Sequence, residues 1–266
     1  MFAITDPLNV EVLSTRLAAS TRSVVVVEVA EEVTSTNEVL RQRAMQDMLH
    51  GHVLLAESQT QGKGRLGRVW HTPKGKNLAL TLAWSCDPDP RSLAGISLAV
   101  GAAVAESLEK VFGVDMQLKW PNDMYLDGRK CGGVLVETLT DGQQRSLVLI
   151  GVGLNIMPVD TEVDQPVADL SSHVGRDVPR NNVAACVIEA LVDLLQAWEA
   201  GGFSAWRERW QARDLLRDVA VTISGGQTLT GVGCGVDDTG ALLLRTAEGI
   251  EPVFAGDASV RREQRA

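Results

Sequence analysis

Two apolar runs, at residues 133–138 and 147–152, flank a short stretch holding Asp141-Gly142, and they constrain the fold of this 266-residue chain more than any other feature. Asp-Gly readily takes the backbone of a tight turn, so the two runs are expected to pair as an antiparallel hairpin. Patterns of both kinds precede it. Residues 24–27 are four β-branched valines, read as a strand; Thr34-Ser35-Thr36-Asn37 then offers helix N-cap side chains ahead of Leu40, Ala44 and Met48 at helical spacing. His52-Val53-Leu54-Leu55-Ala56 reads as a buried strand and residues 77–84 as another, while Ile96, Val100, Val104 and Leu108 form a four-residue ladder on a longer helix. Val183, Val187, Leu191, Leu194 and Trp198 mark a later helix; Phe203, Trp206 and Trp210 give the next one an apolar face suited to core packing.

Beyond about residue 214 the pattern turns to short β segments at 219–223, 228–234, 241–245 and 250–254, with turns at Gly225-Gly226, 237–240 and Glu248-Gly249. A module of that size buries little core alone, so it is expected to dock on its neighbour as a small SH3-like barrel. The fold class that follows is α+β, a mixed sheet with helices packed on it, and the domains divide as 1–213 and 214–266. Residues 157–180 are polar and weakly periodic, longer than most connections in compact domains, and read as a mobile functional loop or an insertion.

A net charge of −9 gives no general basic face for nucleic acid. The start, Met1 to Pro7, lacks the regions of a signal peptide, and the apolar uncharged stretch 92–105 is too short to span a bilayer, so no membrane association and a cytoplasmic location are expected. Four cysteines without a CxxC pair, and four histidines without ligand spacing, signal neither disulfides nor a metal site on the protein itself. His50 and His52 read as structural.

Chemistry gathers in a few segments. Gly62-Lys63-Gly64-Arg65-Leu66-Gly67-Arg68 joins backbone-permissive glycines to three cations where a strand ends, which suits an anionic ligand. It is not a P-loop, because Lys63 is followed by Gly64 rather than Ser or Thr opening a helix. Lys119-Trp120-Pro121-Asn122-Asp123 places polar groups at a rigid bend. Lys130 precedes Gly132-Gly133 and can set an ammonium beside a carboxylate or phosphate, or be a solvated hairpin lysine. Gly151 and Gly153, before Asn155, leave one strand face open for a flat ligand, or for a bulge or close strand packing.

Six segments, in order, resemble the biotin protein ligases: Ser35-Thr36-Asn37; Ala56-Glu57-Ser58-Gln59; Gly62 through Val69-Trp70; Lys119-Trp120-Pro121-Asn122-Asp123; Lys130 through Val134-Leu135-Val136-Glu137; and Gly151-Val152-Gly153-Leu154-Asn155. The resemblance implies the class II synthetase-like biotin/lipoate ligase fold. It also implies a reaction in which biotin and ATP with Mg2+ form biotinyl-5′-AMP, and a lysine of an apo biotin carboxyl carrier protein, such as that of acetyl-CoA carboxylase, then attacks the mixed anhydride. Under it, Lys130, Arg65 and Arg68 are the catalytic candidates. Ser35, Thr36, Asn37, Gln59, Gly62, Lys63, Gly64, Arg65, Lys130, Gly133, Gly151 and Gly153 would bind biotin. Arg65, Arg68, Trp70, Lys130 and Asn155 would bind the nucleotide, Trp70 could shield the adenylate, and Asp123 would orient Mg2+ or the incoming lysine. Magnesium travels with ATP and has no direct protein site in this reading. Residues 157–180 stand where the family has its adenine-covering loop.

Two departures stand out. Lys63 lies where the family more commonly has arginine and lacks the planar fork for bidentate phosphate contact. Cys131 replaces a usual aliphatic residue and is expected to be an inert, small side chain. About twenty residues precede the first strand, too few for the DNA-binding module of some members, so no repressor function and no nucleic-acid partner are expected. The protein is expected to be a monomer or homodimer. A lipoate or octanoate ligase and a non-catalytic biotin sensor are the rival readings.

Overall fold

A computed structural model describes residues 6–47, 49–86, 93–140, 146–159, 167–224, 228–255 and 259–262. Two short helices, α1 (Val10–Arg16) and α2 (Ala19–Arg22), lead into β1 (Val26–Val33), α3 (Thr36–Ala44), β2 (His52–Gln59) and β3 (Asn77–Cys86). The helix α4 (Ile96–Phe112) follows, then β4 (Gln117–Lys119), β5 (Asp123–Leu126), β6 (Arg129–Thr140) and β7 (Ser146–Asn155). These strands form one seven-stranded sheet in the order β1-β2-β3-β7-β6-β5-β4, in which only β1 and β2 run parallel. The expected hairpin is the β6–β7 pair, in register from Gly132↔Leu154 to Thr140↔Ser146. Its Asp141-Gly142 turn lies outside the described residues, as do Met48, residues 160–166 and Gly225-Gly226.

Strand alternation decides which side carries the site. Val148, Ile150, Val152 and Leu154 of β7 enter the main core with Val100, Val104 and Leu108 of α4 and Val187 and Leu191 of the long helix α6 (Arg180–Gly201). On the opposite face, Leu147 and Leu149 pack with Leu40, Leu54 and Ala83 in a second, smaller core under α3. Farther along that face β7 changes from leucine to Gly151 and Gly153. The register aligns Ala79, Gly153, Gly133 and Asp123 across β3, β7, β6 and β5, a row in which no residue is larger than aspartate.

After α5 (Leu170–Val174), α6 and α7 (Arg207–Gln211), a separate antiparallel sheet forms from β8 (Ala220–Ser224), β9 (Leu229–Val236), β10 (Leu242–Arg245), β11 (Ile250–Val253) and β12 (Ser259–Arg262), in the order β11-β10-β9-β8-β12. It is the small C-terminal β module the turn spacing predicts. Residue 118 of β4 holds the segment leading into it, since Leu118 N–H donates to Arg213 O and Leu215 N–H to Leu118 O, each at 2.8 Å. Trp120, 1% exposed, donates its indole N–H to Gly240 O at 3.0 Å, so part of the Lys119 to Asp123 bend is a structural anchor. Trp198, Trp206 and Trp210 are core residues, as their spacing implies.

Three pieces differ from the sequence reading. Ser35 occupies the N-cap of α3 but makes no side-chain cap bond; the Thr36 N–H donates instead to Gln59 Oε1 at 2.8 Å. β4 and β5 are too short to produce a readable alternation. β12 has the sequence Ser-Val-Arg-Arg and is polar in composition. Among the described residues no helix is long and apolar enough to cross a membrane.

Candidate active site

A cavity of about 990 Å³ opens over the glycine floor, between the start of α3, the segment 63–71, the β4–β5 bend and Val260 of the C-terminal sheet. Its first wall is a polar network. Gln59 Oε1 accepts from Thr36 N–H, and Gln59 Nε2 donates to Thr72 Oγ1 at 3.0 Å. Asn37 Nδ2 donates to Glu137 Oε2 at 2.7 Å, and its Oδ1 accepts from Thr81 Oγ1 at 2.6 Å. Ser35, Thr36, Asn37 and Thr81 are all buried.

The second wall is the glycine-rich loop, which closes on itself as a narrow hairpin. Trp70 N–H donates to Gly62 O at 2.9 Å and Gly64 N–H to Arg68 O at 2.7 Å, with Lys63 bridged to Val69. The chain reverses through Leu66 (φ 56°) and Gly67 (φ 72°), both left-handed. Two side chains tie this hairpin outward. Lys63 Nζ lies 2.9 Å from Glu38 Oε2 on α3, and the Arg65 guanidinium donates to the carbonyl of Ala255, just past β11 of the C-terminal module. Hydrogen bonds from Arg41, then Lys63 and Gln42, hold the Glu38 carboxyl down at about 2.

On the third side Lys130 Nζ lies 2.6 Å from Asp123 Oδ1 and 5.8 Å from the Trp70 ring centroid. The Trp70 indole rests on Gly153, where a Cβ would come within 2.5 Å of the ring. At the back, Asn155 Nδ2 donates to Ala168 O at 3.1 Å, Asn77 Nδ2 donates to Asn155 Oδ1 at 3.2 Å, and Ala168 N–H donates to Lys130 O at 2.9 Å. Ala168, within the 157–180 segment, is thus fastened to both Lys130 and Asn155. Among the described residues no group of three His, Cys, Asp or Glu side chains is placed to hold a metal ion.

One hydrogen-bonding edge and one cationic edge therefore face each other across a flat floor. Residues 29–155 match the Biotin/lipoate A/B protein ligase family, and residues 217–261 match the Biotin protein ligase C terminal domain. The "Bifunctional ligase/repressor BirA" of Escherichia coli is 34% identical over 244 residues, covering 90% of this chain and 75% of that one. This chain belongs to the biotin protein ligase family. The "Biotin--[acetyl-CoA-carboxylase] ligase" of Mycobacterium tuberculosis is 32% identical, covering 86% of this chain and 87% of that one. A solved biotin protein ligase from Aquifex aeolicus, in complex with biotin and ATP, superposes with a TM-score of 0.76 at 28% identity, over 89% of this chain and 99% of that one.

Set against the residues that the family resemblance implies, the cavity wall includes Ser35, Thr36, Asn37, Gln59, Lys63, Gly64, Arg65, Arg68, Trp70, Asp123, Lys130, Gly133, Gly151, Gly153 and Asn155. Gly62 is not on it. That residue packs beneath the loop, where a Cβ would lie 2.2 Å from Trp70 O. The space at Gly151 is taken by Asn37 Oδ1, 2.3 Å from a built Cβ, and the space at Gly153 by Trp70, so both glycines make room for side chains of this protein. Gly133 differs, with Asp123 Oδ1 its nearest neighbour at an ordinary 3.6 Å.

Sequence reasoning missed the residues that hold this biotin protein ligase site from behind. Thr81, Thr72 and Glu137 complete the polar network, and only Glu137 fell within a recognised motif. Arg180, 2% exposed, pairs with Glu57 at 2.7 Å and donates twice to the carbonyl of Asn77, bracing the strand that carries Asn77 and Thr81. Cys131 is fully buried, and burial pushes its thiol far up, in keeping with an inert role.

Proposed function

We propose that this chain activates biotin with Mg-ATP and transfers it to a lysine of an apo biotin carboxyl carrier domain. The observation that carries the reading is the position of Lys130, on the cavity wall beside the glycine floor, between the Ser35 to Asn37 network and the cationic loop. In the first step a biotin carboxylate oxygen bonds to the α-phosphorus of ATP and pyrophosphate leaves. Two anions must meet, so cations that neutralise both and hold them in line lower the barrier. Lys130 is placed for that role, with Arg65 and Arg68 on the facing loop. In the second step the acceptor lysine's amine attacks the acyl carbon, loses its proton and expels AMP.

Thr36, Asn37 and Gln59 would meet the ureido ring and Gly133 would lie beneath biotin, while Trp70 and Asn155 would border the nucleotide. Magnesium arrives with the phosphates of ATP, and Asp123 is the wall carboxylate able to meet it or the acceptor lysine. The buried polar edge favours biotin over lipoate or octanoate, whose apolar ends would leave it unpaired. We place the domain boundary near Asp214 and propose a cytoplasmic monomer or homodimer with no nucleic-acid partner, in line with the charge of −9.

Incubation with biotin, ATP and a purified apo acceptor domain, read by mass spectrometry, tests the proposal. One biotin increment on the acceptor is expected, with none when lipoate replaces biotin. An unchanged acceptor, or transfer of lipoate instead, would overturn it.

A further inference from the structure

The network at the start of α3 has a defined proton polarity, and it is set by a side chain away from the cavity wall. Glu137 is a carboxylate and can only accept, so the Asn37 group 2.7 Å from it must be the amide NH2. Asn37 Oδ1 then faces Thr81, which is wholly buried, at 2.6 Å and must accept there. Thr81 has one hydroxyl proton, and this contact uses it. The remaining short contact, 2.8 Å between Thr81 Oγ1 and Thr36 Oγ1, can be a hydrogen bond only if Thr36 gives its own proton to Thr81. The longer 3.3 Å separation of Thr36 Oγ1 from Gln59 Oε1 agrees with that proton being spent elsewhere. Gln59 Oε1 is satisfied by the Thr36 N–H at 2.8 Å. Thr36 Oγ1 is therefore left with lone pairs alone.

We infer that Glu137, acting through Asn37 and Thr81, fixes Thr36 Oγ1 as an acceptor toward the cavity, so that this edge selects a ligand presenting an N–H. Glu137 and Thr81 are positioning residues and touch no substrate. Turning the Asn37 amide over would reverse the chain: Nδ2 would donate to Thr81, Thr81 to Thr36, and Thr36 would have a proton to offer the cavity. A glutamine at 137 permits that reversal, because its amide can present either oxygen or NH2. The N–H in question is that of the ureido ring, an identification that rests on the biotin reading proposed above.

The test uses the full chain and the near-isosteric variant Glu137→Gln. Its Kd for biotin, by calorimetry without ATP, is expected to weaken about tenfold, as for one buried hydrogen bond turned unfavourable. The rate of pyrophosphate release at saturating biotin should stay within about twofold. Discrimination between biotin and an analogue methylated at its ureido nitrogens should narrow, since the edge no longer demands an N–H. Thr81→Val should repeat the effect and Thr81→Ser should restore wild-type binding, which a mere packing role would not predict. Wild-type Kd and selectivity in Glu137→Gln, beside normal biotin binding by the parent, would overturn this inference alone. A parent that binds no biotin would overturn the reading of the site and this inference with it.

Discussion

Lys130 reaches the same face of β6 as Gly133, its Cε 3.8 Å from where a Cβ on that glycine would stand. In a regular strand, residues three apart point to opposite faces. The register between β5 and β6 shifts here, with Met124 opposite Gly132 but Tyr125 opposite Lys130, and the extra residue, Cys131, turns into the core. This bulge aims the ammonium into the cavity and leaves it beside Asp123.

Asp123 is accordingly expected to hold Lys130 in place. Asp123→Asn keeps an oxygen that can accept from the half-buried ammonium, so the variant should lose on the order of 1 kcal/mol of stability, as for one weakened hydrogen bond. Its pyrophosphate release should slow by about 10- to 100-fold. A stopped-flow rate within about twofold of the parent would remove Asp123 from the machinery.

The three floor glycines should respond differently to a methyl group. Gly151→Ala drives a Cβ into Asn37 Oδ1 and Gly153→Ala drives one into the Trp70 ring, whereas Gly133→Ala meets only ordinary contacts. Overpacking costs about 1–3 kcal/mol. The first two variants should lose that much in denaturant titrations, the Gly151 variant with weakened biotin binding and the Gly153 variant with altered tryptophan fluorescence. Gly133→Ala should keep parent stability. Equal stability across all three would contradict the packing described.

Lys63 and Glu38 latch the glycine-rich loop to α3, and Arg65 fastens it to Ala255. The Lys63 side chain is 48% exposed, so its ion pair is weak and screened by salt. Glu38→Gln should let biotinyl-AMP escape a few-fold faster, more so at low salt, and Arg65→Gly, which also removes a cation from the cavity, should leak more. Labelling of bystander lysines in acceptor-free mixtures measures this. Labelling no greater than that by the parent would argue against a retaining role for the loop.

Burial pushes the Asp214 carboxyl up from 3.8 to about 6, at the junction of the two sheets. Its Oδ1 accepts from Leu216 N–H while Oδ2 is buried without a partner. Between those values the native protein keeps a proton the unfolded chain has released, so this group's contribution to stability falls as pH rises from about 4 to about 6 and stays low above. Asp214→Asn keeps the Oδ1 bond and loses the buried charge. It should be more stable than the parent at pH 7.5 by on the order of 2 kcal/mol, a gain that fades below pH 6 and is gone by about pH 4. Unfolding curves across that range check it; a difference independent of pH would refute the assignment.

The elements with strong periodicity were legible from sequence. The ladder from Ile96 to Leu108 and the paired apolar runs of β6 and β7 carry their own pattern, and so does the change to short β segments near residue 214. The cavity residues were reached through short motifs, because glycines, cations and an Asn at strand ends stand out against a core. What stayed hidden depends on contacts distant in sequence. Thr81 is one hydroxyl in an apolar strand, and nothing local reveals that it meets Thr36 and Asn37. The bulge that aims Lys130 is a property of two strands. Gly151 and Gly153 looked open because their sequence cannot show that Asn37 and Trp70 fill the space.

Pyrophosphate release from biotin and ATP, followed in a single turnover without acceptor, tests the account most directly. The parent should release one equivalent in a rapid burst that depends on biotin. Lys130→Ala, folded to the same melting temperature, should lose the burst by about a thousandfold or more. A variant that releases pyrophosphate at the parent rate would contradict the central role given to Lys130.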